Sequence, residues 1–343
     1  MKRTILLVSA LTLFAGGCSK RGSTATFTQK AFIMNVSAQF RGYGPDTPGA
    51  KELADEIFKE WERISGEFSY SDAYSLTSLV NKKALNEWVP VTDEFMRLLL
   101  LGLDYSQLTE GAFDITFAPL WPIWKEAGAS KKLPAKEEID KALQSIGSKY
   151  VQVDTVKKRV RFTRPVEINL GGLLRGYCFE RAYKILKERA PAYPVQLRLG
   201  GNMIVYGKRP WKYRLTDPLS RSDLLGIIAF EDGMVISSSG RDSFVEIEGK
   251  LYSHILDLRT GYPIKDFSTL AIYYPGIEDE NFLASAALAV MGKEKAFKLL
   301  SGMKGVAAVW VDGSGKMSLL FNDASKAKWE DGRTFWDKLL GRW

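Results

Sequence analysis

The chain has 343 residues, of which 45% are hydrophobic and 26% are charged, and its formal net charge is +8 at pH 7. This apolar content is enough for a large core, either in one domain or in two intertwined lobes. The modest positive charge suits a phosphate-bearing ligand or an anionic lipid surface, whereas the lack of a basic run interleaved with aromatic residues argues against nucleic acid as a partner.

The first residues predict a bacterial lipoprotein signal. A basic start, Met1-Lys2-Arg3, precedes an uncharged apolar run from Ile5 to Ala15, which is much shorter than the roughly 20 residues of a membrane helix. Small residues directly precede Cys18. This pattern predicts a signal peptide over residues 1–17, a tether over 18–26 and one domain over 27–343. The alternative is an ordinary secretory signal, or a thiol of no consequence.

Acylation of Cys18, for example with palmitate, would hold the protein on a membrane of the bacterial cell envelope, facing the periplasm, without spanning it. Removal of the signal takes away Lys2 and Arg3 and no acidic residue, so the mature net charge is 46 − 40 = +6. The other cysteine, Cys178, has no partner left for an intrachain disulfide and is interpreted as a packing residue.

Helices are predicted mainly in the first half of the chain. Leu53, Ile57, Trp61 and Ile64 share one face of a helix from about Ala50 to Ser65. A second helix should begin after Thr92, a good N-cap, and end before Gly111, and a third runs from about Ala135 to Ile146. Later helices are predicted over Leu173–Arg189 and from about Phe282 to Leu300.

Strands dominate the second half. After a hairpin of Tyr150–Val153 with Val160–Phe162, the predicted strands are Glu167–Leu170, Val195–Tyr206, Trp211–Leu215, Leu225–Phe230, Met234–Ser237, Phe244–Ile247, Leu251–Leu256, Thr269–Tyr274, Val306–Val311 and Met317–Phe321. Early helices and late antiparallel strands predict an α+β fold, not a doubly wound parallel sheet. The glycines of Leu199-Gly200-Gly201 therefore do not form a dinucleotide fingerprint, because their spacing is wrong and a strand follows them.

The segment from Asn169 to Gly176 is a candidate phosphate site. A strand that ends in Gly171-Gly172 before a helix lets backbone N–H groups approach a ligand, and the N-terminus of the helix favours negative charge. Arg175 would add a guanidinium group, which can form two parallel hydrogen bonds with a phosphate. The alternative is a tight strand-to-helix turn in which the glycines only serve packing.

Two further segments could carry chemistry. In Gly111-Ala112-Phe113-Asp114, followed by Pro119-Leu120, a ring and a carboxylate at a helix exit could flank a flat ligand; the alternative is a helix C-cap with Phe113 in the core. The segment Ser253–Gly261 holds the single histidine, His254, three residues before Asp257. Such a pair is a weak acid–base signal, and a structural hydrogen bond is the alternative.

In chain order, these segments together with Leu199-Gly200-Gly201-Asn202 and Ile236–Gly240 resemble the ApbE-like flavin transferases, which are FAD:protein FMN transferases. The resemblance runs from about Lys30 to Val311. It implies antiparallel sheets with packed helices and an FAD pocket between lobes. It also implies transfer of FMN from FAD to a threonine hydroxyl in a Ser/Thr-rich flavinylation motif of a partner protein, with release of AMP.

The resemblance also implies a set of site residues. His254 would be the catalytic proton acceptor or a polar clamp near the diphosphate. The FAD-binding residues would be Phe32, Tyr70, Ala112, Phe113, Asp114, Asn169, Arg175, Ser239 and His254. The chain departs from the family motifs at several positions: Asn169 replaces an aspartate, Arg198 an asparagine, Arg175 a lysine or glutamate, Asn202 an aspartate and Leu258 a proline, and Phe32-Ile33-Met34 stands where the family has Met-Gly-Thr.

The metal site departs further. The family's Mg²⁺ is held by an aspartate and a threonine one turn apart, which fall here at Phe282 and Ala286, while Gly172 would lend a backbone carbonyl. Magnesium needs oxygen ligands, and neither of those two side chains has one. Residues 278–280, which are Glu-Asp-Glu, could substitute if the helix begins differently, or Arg175 and Arg198 could do part of the metal's work. Otherwise the chain is a non-catalytic FAD-binding lipoprotein, or one that has lost flavin and serves protein contacts.

Overall fold

The structure is a computed structural model that describes residues 25–217, 223–240, 244–276 and 284–332. The predicted signal peptide and Cys18 lie outside the described residues, as do Phe282 and the acidic residues 278–280. Within these ranges no helix is long and apolar enough to cross a membrane.

The described residues form eight α-helices: α1 (Ala50–Glu67), α2 (Leu76–Lys83), α3 (Asp93–Leu108), α4 (Leu120–Ser130), α5 (Lys136–Leu143), α6 (Gly171–Arg189), α7 (Ser285–Met291) and α8 (Lys293–Ser301). The strands are β1 (Ala25–Ile33), β2 (Val36–Tyr43), β3 (Val89–Pro90), β4 (Val151–Asp154), β5 (Arg159–Phe162), β6 (Val195–Leu199), β7 (Asn202–Tyr206), β8 (Trp211–Thr216), β9 (Leu224–Phe230), β10 (Gly233–Ser239), β11 (Phe244–Ile247), β12 (Lys250–Ser253), β13 (Leu256–Asp257), β14 (Tyr262–Pro263), β15 (Phe267–Tyr274), β16 (Ala307–Asp312), β17 (Met317–Phe321) and β18 (Lys328–Asp331).

The central element is an eight-stranded sheet in the order β1-β2-β6-β7-β10-β15-β16-β17. Every neighbouring pair in it is antiparallel. One face packs against the helices in the main core, where Trp61, Phe40 and Leu197 are fully buried. On the other face, the three-stranded sheet β18-β9-β8 covers β7, β10, β15 and β16 in a second core. The predicted α+β class is confirmed.

A third, smaller apolar cluster joins α4 and α5 to the hairpin β11-β12 and to β13, around Trp124 and Ile247. The indole N–H of Trp124 donates to the Gly261 carbonyl over 2.8 Å. This cluster fixes the segment Ser253–Gly261 against the rest of the fold.

Most of the predicted elements are present. The helix predicted after Thr92 begins there because the Thr92 hydroxyl accepts a hydrogen bond from the Phe95 N–H at 3.1 Å. The helix predicted over Ala50–Ser65 and the hairpin of β4 with β5 are also confirmed.

Other predictions were wrong in detail. Residues 167–170 form no strand; the Asn81 side chain instead bonds both the N–H and the carbonyl of Ile168. The predicted strand Val195–Tyr206 is two strands, because Gly200 turns the chain at φ 60°. The late helix breaks at Gly292, where φ is 84°, into α7 and α8.

Two further differences concern the early chain and the histidine segment. The strand predicted over Leu251–Leu256 is interrupted at His254. Strands β1 and β2 were not predicted at all, although they form one edge of the main sheet.

Candidate functional site

A cleft with a volume of about 710 Å³, including the space at its open mouth, lies between the starts of α6 and α7, the start of β7 and the end of β10. Helix α3 supplies its remaining wall. Of the residues predicted from the sequence, Gly172, Arg175 and Ala286 line this cleft.

The start of α6 is shaped for close approach. The N–H of Gly171 donates to the Asn169 side chain at 2.9 Å, and the Asn169 N–H donates to the Ile115 carbonyl at 2.6 Å. A Cβ on Gly172 would lie 3.1 Å from the ring of Phe113, so a larger residue would need that ring to shift. The N-terminus of a helix attracts anions. Here the Leu173 N–H donates to the Leu170 carbonyl at 2.8 Å, so the Gly172 N–H is the first-turn donor without a partner among the described residues. Asn169 therefore positions the helix start, and Phe113 packs behind it.

The cleft wall opposite α6 is polar. A Cβ on Gly200 would lie 3.5 Å from Nη1 of Arg175, which places this guanidinium beside the β6–β7 turn. Asn202 accepts a hydrogen bond from the Ser237 N–H at 2.9 Å, and the Ser238 and Ser285 hydroxyls are 2.8 Å apart. Hydroxyl, amide and guanidinium groups thus converge on one space, which is the chemistry that a diphosphate needs.

At α7, the predicted metal position is poor in oxygen. Ala286 lines the cleft, and the hydroxyl beside it, on Ser285, is paired with Ser238. Among the described residues there is no group of three or more His, Cys, Asp or Glu side chains that could hold a metal. The donors present here do not fit Mg²⁺, which takes near-octahedral oxygen ligands, usually with one or two carboxylates.

Asp114 is buried and its carboxylate is fully engaged by the protein. It accepts hydrogen bonds from the Ser106 hydroxyl at 2.9 Å, from the Thr116 N–H and hydroxyl at 2.9 and 2.7 Å, and from the Ser148 N–H at 2.8 Å. These bonds hold the loop that carries Phe113 behind Gly172. The proposed contact of Asp114 with FAD stays a prediction; the geometry gives it a positioning role.

The histidine segment lies next to this loop. The Leu258 N–H donates to the Ala112 carbonyl at 3.3 Å. Asp257 accepts two bonds from Arg259, at 2.9 and 2.7 Å, and Arg259 reaches the Val290 carbonyl in α7 at 3.5 Å. His254 is half-buried and does not line the cleft itself. Ser239, also half-buried, directly follows the cleft-lining Ser238.

Two predicted FAD contacts lie away from the cleft lining. Phe32 is 73% exposed and, since Ala31 and Ile33 pack on the main core, its ring points to the opposite face of the sheet. Tyr70 donates to Glu167, and burial together with that carboxylate raises the pKa of Tyr70 to about 12. Tyr70 therefore supports the segment that leads to Asn169.

Sequence reasoning missed the α3 side of the cleft. Arg97 in α3 and Glu180 in α6 both line it and form a bidentate ion pair with two 2.7 Å bonds. Tyr105 also lines the cleft. Burial raises the pKa of the Tyr105 hydroxyl, although a hydrogen bond with the backbone of Ala284 acts in the opposite direction. Arg97 and Glu180 are 83 residues apart, so no local pattern could have indicated the pair.

Arg198 was expected as a possible substitute for the metal, but it is not in the cleft lining. It alternates along β6 with the core residues Leu197 and Leu199 and therefore projects from the opposite face. There its guanidinium lies 5.7 Å from the ring centroid of Tyr213. The expectation that Arg198 does part of the metal's work was therefore wrong, and Arg175 is the arginine that lines the cleft.

The comparisons with known proteins agree with each other. The model of the ApbE family matches residues 31–310. The chain is 21% identical to the FAD:protein FMN transferase of Haemophilus influenzae over 87% of this chain and 90% of that protein. It is 25% identical to the enzyme of the same name from Chlamydia pneumoniae, over 81% of this chain and 88% of that protein. The crystal structure of the ApbE protein from Thermotoga maritima superposes with a TM-score of 0.76 and 27% identity, over 87% of this chain and 97% of that one.

Proposed function

This chain belongs to the ApbE family, and we propose that it is a flavin transferase that moves FMN from FAD to an acceptor protein. The relatives named FAD:protein FMN transferase span nearly the same length of chain. The observation that carries the proposal is the cleft, where the glycine start of α6, Arg175 and the serines of β10 face one another.

The FAD diphosphate would lie at the start of α6. The Gly172 N–H, the positive end of α6 and Arg175 would hold its oxygens, and the hydroxyls of Ser238 and Ser285 would complete the site. A diphosphate fits these donors because, among the described residues, Glu180 is the only carboxylate that lines the cleft and it is already paired with Arg97.

In the proposed reaction, a threonine hydroxyl in a Ser/Thr-rich segment of the acceptor attacks the phosphorus on the flavin side of the diphosphate. A new P–O bond forms, the bond to the bridging oxygen breaks, and AMP leaves with that oxygen. Negative charge grows on the phosphate oxygens, where the Gly172 N–H, the positive end of α6 and Arg175 would stabilise it. The threonine proton would go to His254 if substrate binding brings the two together.

Magnesium, when bound in such a site, would stabilise the charge that develops on the diphosphate. The described donors near Ala286 do not fit this ion, so no step is assigned to it here. This is the observation that favours a second candidate function, which is retention of FAD without transfer.

The experiment that separates the two functions uses the protein with FAD, Mg²⁺ and an acceptor domain that bears a Ser/Thr-rich motif. We expect the acceptor to gain the mass of FMN and AMP to accumulate in equal amount. An acceptor in which the target threonine is valine is the matched control. A purified protein that is yellow and fluorescent with bound FAD but leaves the acceptor mass unchanged would establish the second candidate function. Failure to bind flavin at all would contradict both.

The lipid anchor is a separate proposal, supported by the apolar run and the small residues before Cys18. Cys18→Ala should prevent acylation, so that a high-salt wash, which removes electrostatic binding, releases the protein from a membrane fraction that otherwise retains it. Unchanged fractionation of this variant would contradict the anchor.

A further inference from the structure

One part of the main sheet is left uncovered. The second core contains buried residues from β7, β10, β15 and β16 but none from β1, β2 or β6. On the side that points away from the helices, Gln196 of β6 is buried and Tyr43 at the end of β2 packs against the second core. The outward residues of β1 are exposed, and Gln39 and Arg41 of β2 are half-buried. We call this uncovered part of β1 and β2 the open face.

The open face is basic. The pairing register places Lys30 beside Gln39 and Thr28 beside Arg41 on the two strands. Neither strand contains an aspartate or a glutamate. Charges of one sign therefore lie on adjacent strands with no acid between them.

Two further cations lie beside this face, Arg198 on β6 and Arg209 in the loop between β7 and β8. Arg209 lies 4.0 Å from the ring centroid of Tyr43 and 4.8 Å from that of Trp211. Its Nη1 is buried and has no hydrogen-bond partner among the described residues. Both residues add positive charge next to the open face but do not project from it.

These cations lack counter-charges within the protein. In the described part of the chain no carboxylate forms an ion pair with Lys30, Arg41, Arg198 or Arg209, whereas many other arginines are paired. Burial, with a contribution from Arg41, lowers the pKa of Arg198. An uncompensated cluster of guanidinium groups is the electrostatic complement of a polyanionic surface.

The position of the predicted lipid anchor indicates that this polyanion is a membrane surface. Strand β1 begins at Ala25, and only residues 19–24 separate it from Cys18. Even fully extended, such a segment reaches only about 20 Å. It adds Lys20 and Arg21 to the positive charge. Phe32, at the far end of β1, is 73% exposed on the open face and offers an aromatic ring to a headgroup layer.

We propose that the open face docks on an anionic lipid surface, with Lys30 and Arg41 against the headgroups and Phe32 at the interface. This orients the protein on its membrane and does not use the cleft, whose lining comes from α3, α6, α7, the start of β7 and the end of β10. The proposal rests on the lipid anchor proposed above, but its test does not, because docking is measured without the acyl chains.

The test uses the mature chain with Cys18→Ser, loaded with FAD. Vesicles contain equal phosphatidylglycerol and phosphatidylcholine, or phosphatidylcholine alone. We expect co-sedimentation with the anionic vesicles only, and weaker binding as salt rises. Lys30→Gln with Arg41→Gln should weaken that binding at least about tenfold, since each basic residue near such a surface contributes to the attraction.

The matched control is Lys132→Gln with Arg161→Gln, two exposed cations elsewhere whose removal changes the net charge equally. It should bind as the parent does, and melting curves should show that both pairs remain folded. Equal losses in both pairs, or no preference for anionic vesicles, would overturn the proposal. The proposal would also be overturned if the variant with Lys30→Gln and Arg41→Gln bound vesicles as the parent does. A raised KM of that variant for the acceptor would then assign the open face to an acidic protein instead.

Discussion

Two helix starts meet at the cleft, and they contribute by different means. The start of α6 offers the backbone N–H of Gly172 and the positive end of the helix, together with Arg175. The start of α7 offers side chains, and there Ala286 stands where the relatives would have a threonine. A ligand site made of backbone survives most substitutions as long as its glycines remain. A site made of side-chain oxygens is lost with a single change.

The two helices are also held differently. Helix α6 is tied to α1 and α3 by Arg181 with Glu60 at 2.8 Å, by the Arg97–Glu180 pair, and by the Tyr177 hydroxyl that donates to Glu94. Among the described residues, the polar contacts of helix α7 are one hydroxyl contact with β10 and a 3.5 Å bond from Arg259 to its last turn. Burial of Leu288 and Val290 in the main core supplies the rest. The backbone-built wall of the cleft is therefore held by ion pairs, and the α7 wall mainly by apolar packing.

The largest effect is expected at the support of the α6 wall. Asp114→Ala should lower the free energy of unfolding by about 3 kcal/mol, because it leaves the buried donors of Ser106, Thr116 and Ser148 without an acceptor. Urea unfolding followed by circular dichroism measures this, with exposed Glu126→Ala as the control. Unchanged stability with a large loss of FAD affinity would instead make Asp114 a direct ligand.

The next effect concerns the α7 wall. Phe282→Asp with Ala286→Thr introduces the two oxygen ligands that the family resemblance implies, so FMN transfer and its dependence on Mg²⁺ should rise together by about a hundredfold. Transfer rates over a Mg²⁺ titration measure this. Asp279→Ala and Glu280→Ala are the informative controls. If either one abolishes an activity that the native chain already has, the metal is held from residues 278–280 and the comparison between the two walls fails.

A smaller effect should follow from Arg175→Ala. FAD affinity should fall by at least about tenfold, since a charge-assisted contact with the diphosphate is lost. Riboflavin affinity should be unchanged because riboflavin has no diphosphate. Fluorescence titrations with both ligands measure the difference, and Arg161→Ala is a control far from the cleft lining. Equal losses for both ligands would move the anion site away from α6.

The smallest effect concerns the ion network that anchors α6. The hydrogen bond from Arg63 is the largest cause that lowers the pKa of Glu60 from its ordinary value of 4.5. The ionised Glu60 therefore stabilises the folded protein at pH values above 4.5. This stabilisation is lost as the pH falls through the lowered pKa of Glu60 in the folded state. Arg63→Gln should therefore destabilise the protein modestly at neutral pH, and the difference from the parent should shrink in acid. A difference that stays constant from pH 7 to pH 3 would contradict this assignment.

The sequence by itself determined the α+β class, the family and most helix boundaries. Those signals are local: the Thr92 cap acts three residues away on the Phe95 N–H, and Gly171-Gly172 before an amphipathic helix already indicated an anion site. Motif order along the chain then indicated the family, which the match of the family model over residues 31–310 confirms.

Tertiary structure alone decided which of the predicted residues share a space. Asp114 accepts a hydrogen bond from the Ser148 N–H, 34 residues away in the chain, which completes the hydrogen bonding of its carboxylate. Arg97 pairs with Glu180, 83 residues away, and this pair forms part of the cleft wall. The side of the sheet that Phe32 and Arg198 face was equally hidden, since β1 and β2 were not recognised and alternation alone does not say which face is covered. The physical reason is that burial and hydrogen-bond satisfaction depend on partners brought together by folding, which no short window of sequence contains.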